Sequence, residues 1–139
     1  MSDSEGATIV PIGRVVSALT DPATAPRQGD EGAPPASIFL EPGVRAAAAG
    51  ISPGNRLIVL TWLHLADRTV LRVHPRGDRD RPKAGVFTTR SPDRPNPIGL
   101  HTVTVTAVAE GRITVDALEA VDGTPVLDIK PVLGDVGER

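Results

Sequence analysis

Short apolar runs broken by turn residues dominate the hydrophobic pattern of this chain. Residues 8–16 read as a first strand, with Pro11 marking an edge position or an early bulge. Residues 37–40 predict a short second strand. Residues 56–65 are the most apolar stretch and predict a central one. A two-residue period there places Trp62 and His64 on one face. Residues 69–74 alternate. Residues 100–108 are rich in Thr and Val, turn at Glu110-Gly111 and return over residues 112–117. Residues 126–131 give a last strand. One alanine-rich stretch, residues 44–50, predicts a short helix of about two turns stopped by Gly50. About seven strands without an alternation of strand and helix predict an all-β, mostly antiparallel domain, and closure into a β-barrel would remove its edges.

Composition narrows this picture. The chain has 139 residues, which suits one domain, taken as residues 8–132 between short tails at 1–7 and 133–139. Aromatic residues make up only 2% of it, so Val, Leu, Ile and Ala must fill the core. Fourteen Pro and fourteen Gly imply many turns and few long helices. The absence of Cys excludes disulfides and thiolate chemistry, and three histidines (His64, His74, His101) make a His-based metal site an unpromising expectation. Nothing resembles a signal peptide or an apolar run of transmembrane length, so a cytoplasmic protein without membrane attachment is expected. Neither GxGxxG nor a P-loop is present, which removes the usual Rossmann route to a nucleotide cofactor.

Chemistry concentrates in residues 85–100, GVFTTRSPDRPNPIGL. Three prolines fix φ and delete backbone donors, so this segment predicts a stiff loop that aims Arg90, Arg94 and Asn96. Stiff polar loops between strands are where binding sites tend to be built. The long loop at 17–36 contains Pro26, Arg27 and Gln28, either a polar clamp or a plain surface loop. Net charge is −2, yet residues 68–94 hold eight basic residues against three acids, a local excess of +5. Arg72, Arg76, Arg79, Arg81 and Arg94 within it are candidate phosphate contacts, with a solvated face as the plain alternative.

The run from Gly85 to Leu100 resembles the signature of the TsaA-like family, also called TrmO. Ile12-Gly13, Pro26-Arg27-Gln28, the Trp62-Leu63-His64 strand and the block DGTPVLDIKP at 122–131 match it in the same order. The resemblance spans roughly residues 9–131. It implies a non-Rossmann β-barrel methyltransferase, homodimeric, that uses S-adenosyl-L-methionine. The implied reaction is methylation of N6 of threonylcarbamoyl-adenosine beside the anticodon of a threonine-type or other transfer RNA bearing that nucleoside. Residues matching the family's cofactor contacts are Pro26, Arg27, Gln28, Leu63, His64, Arg90, Leu100, Glu119, Ala120, Val121 and Asp122. Asp122 and Asp128 are the types that could accept a proton from an adenine amine. The alternatives are a same-fold methyltransferase acting on a small metabolite, favoured by the net negative charge and by a chain that stops at the barrel, and a non-catalytic cofactor-binding module. His101 stands where the family often has Ser, Glu119 where it often has Asp, and Val132 where it often has an aromatic.

Overall fold

The computed structural model describes residues 6–21 and 33–134. Six strands close into an antiparallel barrel: β1 (Gly13–Val16), β2 (Ala36–Leu40), β3 (Arg56–Trp62), β6 (Ile98–Ala109), β7 (Arg112–Val115) and β8 (Pro125–Pro131). Their order around the wall is β1-β2-β7-β6-β3-β8. A separate two-stranded ribbon pairs β4 (Arg72–Val73) with β5 (Ala84–Gly85). The all-β barrel expectation therefore holds, with eight strands among the described residues. The additional one, β5, is two residues long and carries no periodic signal.

Alternation along the strands fills the barrel. Val15, Ile38, Leu57, Val59, Val103, Val105, Ile113, Val115 and Val126 all point inward and are buried, joined by Leu118 and Ala120 from the β7–β8 connection. No aromatic ring takes part in this cluster. The β-branched side chains that dominate it pack well on a pleated wall.

Three boundaries depart from the sequence reading. β1 starts at Gly13 rather than residue 8, so Pro11 precedes it. That strand is hydrogen-bonded on both sides, to β2 and β8, and is not an edge. β3 stops at Trp62; the chain then turns through a Leu63 carbonyl that accepts the Ala66 N–H, so the expected shared face of Trp62 and His64 does not form. The alanine-rich stretch is a 3-10 helix over Pro42–Ala48, with no buried residue and no side-chain cap at its start. Its only grip on the core is half-buried Ala48, and Gly50 ends it at φ +94°.

Because the strands alternate in direction, the 17–35, 63–97 and 116–124 connections all emerge at one rim of the barrel. The 41–55 and 110–111 connections lie at the other. Substituting Ile38, which is fully buried, by Ala should destabilise the barrel by about 2–5 kcal/mol with an unchanged slope in urea unfolding.

Candidate active site

Every described residue singled out in sequence for cofactor or phosphate binding, except Leu100, lies in one of the three connections at that single rim. Pro26, Arg27 and Gln28 fall outside the described residues. The chain flanking them is nonetheless docked on the 118–122 run. The Asp122 N–H donates to the Leu19 carbonyl at 2.6 Å, and the Leu118 N–H donates to the Pro34 carbonyl at 3.1 Å. The Asp122 carboxylate adds a third tie, with Oδ1 accepting the Ser17 N–H at 3.0 Å. Glu119, Ala120, Val121 and Asp122 thereby lie beside residues 17–19 and 34, the described flanks of the 17–35 connection. An open cleft lined by Val16, Ser17, Ala18, Pro35, Ala36, Ser37 and Thr114 lies next to these flanks.

Glu119 belongs to a buried polar chain that crosses into the barrel. Its Oε1 lies 2.7 Å from His101 Nδ1, and His101 Nε2 lies 2.7 Å from Thr61 Oγ1. Thr61 and His101 are inward-facing residues of β3 and β6, both buried among apolar neighbours. Gly99 makes the room. A Cβ there would fall 2.6 Å from His101 Nε2 and closer still to Thr61 Oγ1. The second glycine of the Gly85–Leu100 signature is thus a steric requirement of the histidine behind it. Sequence reading took His101 only as a departure from the family pattern. Its inward register on β6 was the available signal.

The proline-punctuated loop is braced from inside. Prolines at 92, 95 and 97 remove three amide donors, and the Arg94 guanidinium supplies donors in their place. Its Nε donates to the Ser91 carbonyl at 2.8 Å, and Nη2 donates to the carbonyls of Val86 at 2.8 Å and Thr89 at 2.5 Å. Arg94 is a strut, which displaces the reading of it as a phosphate contact. Arg68 does the same from the neighbouring turn: Nε donates to the Pro95 carbonyl at 2.7 Å, Nη2 to Asn96 Oδ1 at 3.0 Å, and the guanidinium stacks on Trp62 at 5.0 Å. Asp93 Oδ1 accepts the Asp67 N–H at 2.9 Å, and the Leu63 N–H donates to the Pro97 carbonyl at 2.8 Å. In the same turn the Thr69 hydroxyl, with the Thr69 N–H, holds the exposed Asp67 carboxyl below the ordinary range.

The remaining candidates divide. His64 and Arg90 are exposed on the rim, as are Arg72, Arg76, Arg79 and Arg81 around the β4–β5 ribbon. Arg72 also donates to the Lys83 carbonyl at 3.3 Å. His74 Nδ1–H donates to the Arg81 carbonyl at 2.8 Å, which closes the charged loop into a fixed shape. Leu100 and Asp128 lie on the outer wall, on either side of Leu60 by strand register. Asp128 Oδ2 pairs there with Lys130 at 3.1 Å. One protein molecule does not bring these two together with Glu119 and Asp122. A residue that sequence reasoning missed is Phe87, 82% exposed on the 3-10 turn Val86–Thr88 that Arg94 braces.

Fold and rim define a small antiparallel barrel whose polar, loop-built end carries a buried carboxylate and an arginine-rich arm. The chain belongs to the tRNA-methyltransferase O N-terminal domain family, which it matches over residues 14–137. A probable S-adenosyl-L-methionine-binding protein of Methanothermobacter thermautotrophicus is 44% identical over 136 residues, covering 98% of this chain and 96% of that one. An S-adenosyl-L-methionine-binding protein of Archaeoglobus fulgidus is 42% identical over 120 residues, covering 86% and 85%. Among solved structures, TrmO from Pseudomonas aeruginosa superimposes with a TM-score of 0.72 at 28% identity over 92% of this chain. The present chain spans 56% of the length of that structure.

Replacing Arg94 by Ala should speed amide exchange across residues 86–94 by about tenfold or more while the core amides stay protected, as hydrogen–deuterium exchange will read. The milder Arg94→Lys should behave almost like Ala, because one ammonium cannot span three carbonyls.

Proposed function

We propose that this protein is a methyltransferase that uses S-adenosyl-L-methionine and acts on transfer RNA, with N6 of threonylcarbamoyl-adenosine beside the anticodon as the methylated position. The observation that carries the proposal is the gathering of three connections at one rim. It puts the 119–122 run, the flanks of the Pro26–Gln28 segment and the arginine-bearing arm at the same end of the barrel.

The rim suits a methyl donor of this kind. Glu119 holds a buried carboxylate oxygen, Oε2, without a hydrogen-bond partner among the described residues, which is unusual unless a ligand supplies one. Arg90 and Arg27 are of the type that binds an amino-acid carboxylate, and the buried apolar residues Ala120 and Val121 provide a dry wall. When bound, S-adenosyl-L-methionine supplies a methyl group on a sulfonium, for displacement in line with the attacking atom. The work left to the protein is alignment and exclusion of water. Adenine's exocyclic amine is a weak nucleophile, and Asp122 is the candidate acceptor for its proton.

Support for an RNA substrate comes from the arm. Arg72, Arg76, Arg79 and Arg81 surround the ribbon and are suited to phosphates. Phe87, held out on a braced turn a few residues from Arg90, is suited to stack on an unpaired base. A homodimer is part of the proposal. The outer wall shows Ile98 and Leu100 exposed beside half-buried Leu60 and Trp62, and a second copy laid on it would bring Leu100 and Asp128 to a rim.

Mass spectrometry of transfer RNA nucleosides, from cells with and without the protein, tests the reaction. The methylated nucleoside should disappear with the protein, and an unchanged spectrum overturns the proposal. Asp122→Asn keeps the acceptor for Ser17 N–H but not the basic carboxylate, so methylation should fall by about 100-fold or more with the melting temperature unchanged. Removing the charges of Arg79 and Arg81 together should weaken RNA binding and reduce the slope of log affinity against log salt by about 0.7–0.9 per charge. Turnover insensitive to salt would point to a small neutral acceptor.

A further inference from the structure

The Thr61–His101–Glu119 chain does more than pack. A carboxylate nine-tenths buried is costly to maintain, and among the described residues only one of its two oxygens finds a partner. Among the described residues, Thr61 Oγ1 and His101 Nε2 share one hydrogen bond, and His101 Nδ1–H donates to Glu119 Oε1. The ring is held from both sides, and Oε2 is left as a fixed, buried acceptor. Leu118, Ala120 and Val121, close to it in the chain, have buried apolar side chains that donate nothing to it.

Resting on the reading that a methyl donor binds at this rim, where Glu119 matches a family cofactor contact, we infer that His101 and Thr61 are positioning residues: they fix the Glu119 carboxylate so that Oε2 meets an N–H group of that molecule. Two groups of the donor carry such hydrogens, its α-ammonium and the exocyclic amine of its adenine. The shared chemistry is an N–H donor meeting a buried carboxylate oxygen. Gly99 belongs to the same device, since any side chain there would displace the ring that orients Glu119. The negative charge favours the ammonium, because a charge-assisted bond in a dry site is the stronger one.

Calorimetric titration of the full chain with S-adenosylhomocysteine and with methylthioadenosine, which has the adenine but no ammonium, tests this. Glu119→Gln should weaken S-adenosylhomocysteine binding by about 10- to 100-fold. If methylthioadenosine binding is unchanged, the N–H is the ammonium; if it weakens equally, the N–H is the adenine amine. Equal affinity of wild type and Glu119→Gln for both ligands overturns the inference, and Oε2 then holds only water. Failure of the wild-type protein to bind S-adenosylhomocysteine at all would instead remove the methyl-donor reading, and this inference with it. His101→Leu should reproduce the Glu119→Gln loss, His101→Asn should recover part of it by restoring an N–H to Oε1, and the His101→Leu/Glu119→Gln double variant should be no worse than the single ones. Thr61→Val, nearly isosteric, provides a well-folded control with a smaller loss in the same direction. Additive losses in the double variant, or no recovery with Asn, would overturn the positioning role.

Discussion

Closure of the sheet is the constraint from which the rest follows. With six strands in antiparallel sequence around a ring, each strand of the wall is hydrogen-bonded to a neighbour on both sides and no edge strand is left. The same alternation sorts the connections into two sets. Connections 17–35, 63–97 and 116–124 are forced to open at one end, while 41–55 and 110–111 close the other. Placement of the chemistry is thus a result of strand count and direction before any individual side chain is considered.

Within that frame the rim is built from tethers that replace missing sheet hydrogen bonds. Asp122, Leu118 and their partners Leu19, Pro34 and Ser17 tie two connections together through backbone groups. The third connection has few amides to offer because of its prolines, and two guanidiniums serve as donors instead. Two of the five phosphate candidates read in the sequence thereby acquire different meanings. Arg94 faces its own loop, Arg72 is partly engaged by the ribbon, and Arg79 and Arg81 stand exposed.

Much of this was legible in the residues. Seven of the eight strands show in the apolar pattern, because a barrel wall with one buried face imposes a two-residue period. Their ends were less legible. β3 stops at Trp62 because the Leu63 amide is drawn to the Pro97 carbonyl, a contact 34 residues away that no local pattern encodes. The helix at residues 42–48 is helical in composition but 3-10 in form, having neither a buried face nor a cap to hold a wider turn. As for the site, the Gly85–Leu100 and Asp122–Pro131 blocks were visible as motifs. Invisible were the inward turn of Arg94 and the pairing of His101 with Glu119, both of which depend on tertiary approach.

Arg94 carries one more consequence. Its guanidinium is a rigid planar fork, so one side chain fixes three carbonyls of the arch relative to one another. The platform that bears Phe87 and Arg90 is therefore shaped before any partner arrives. Heat or a denaturant that competes for carbonyls is what would loosen it.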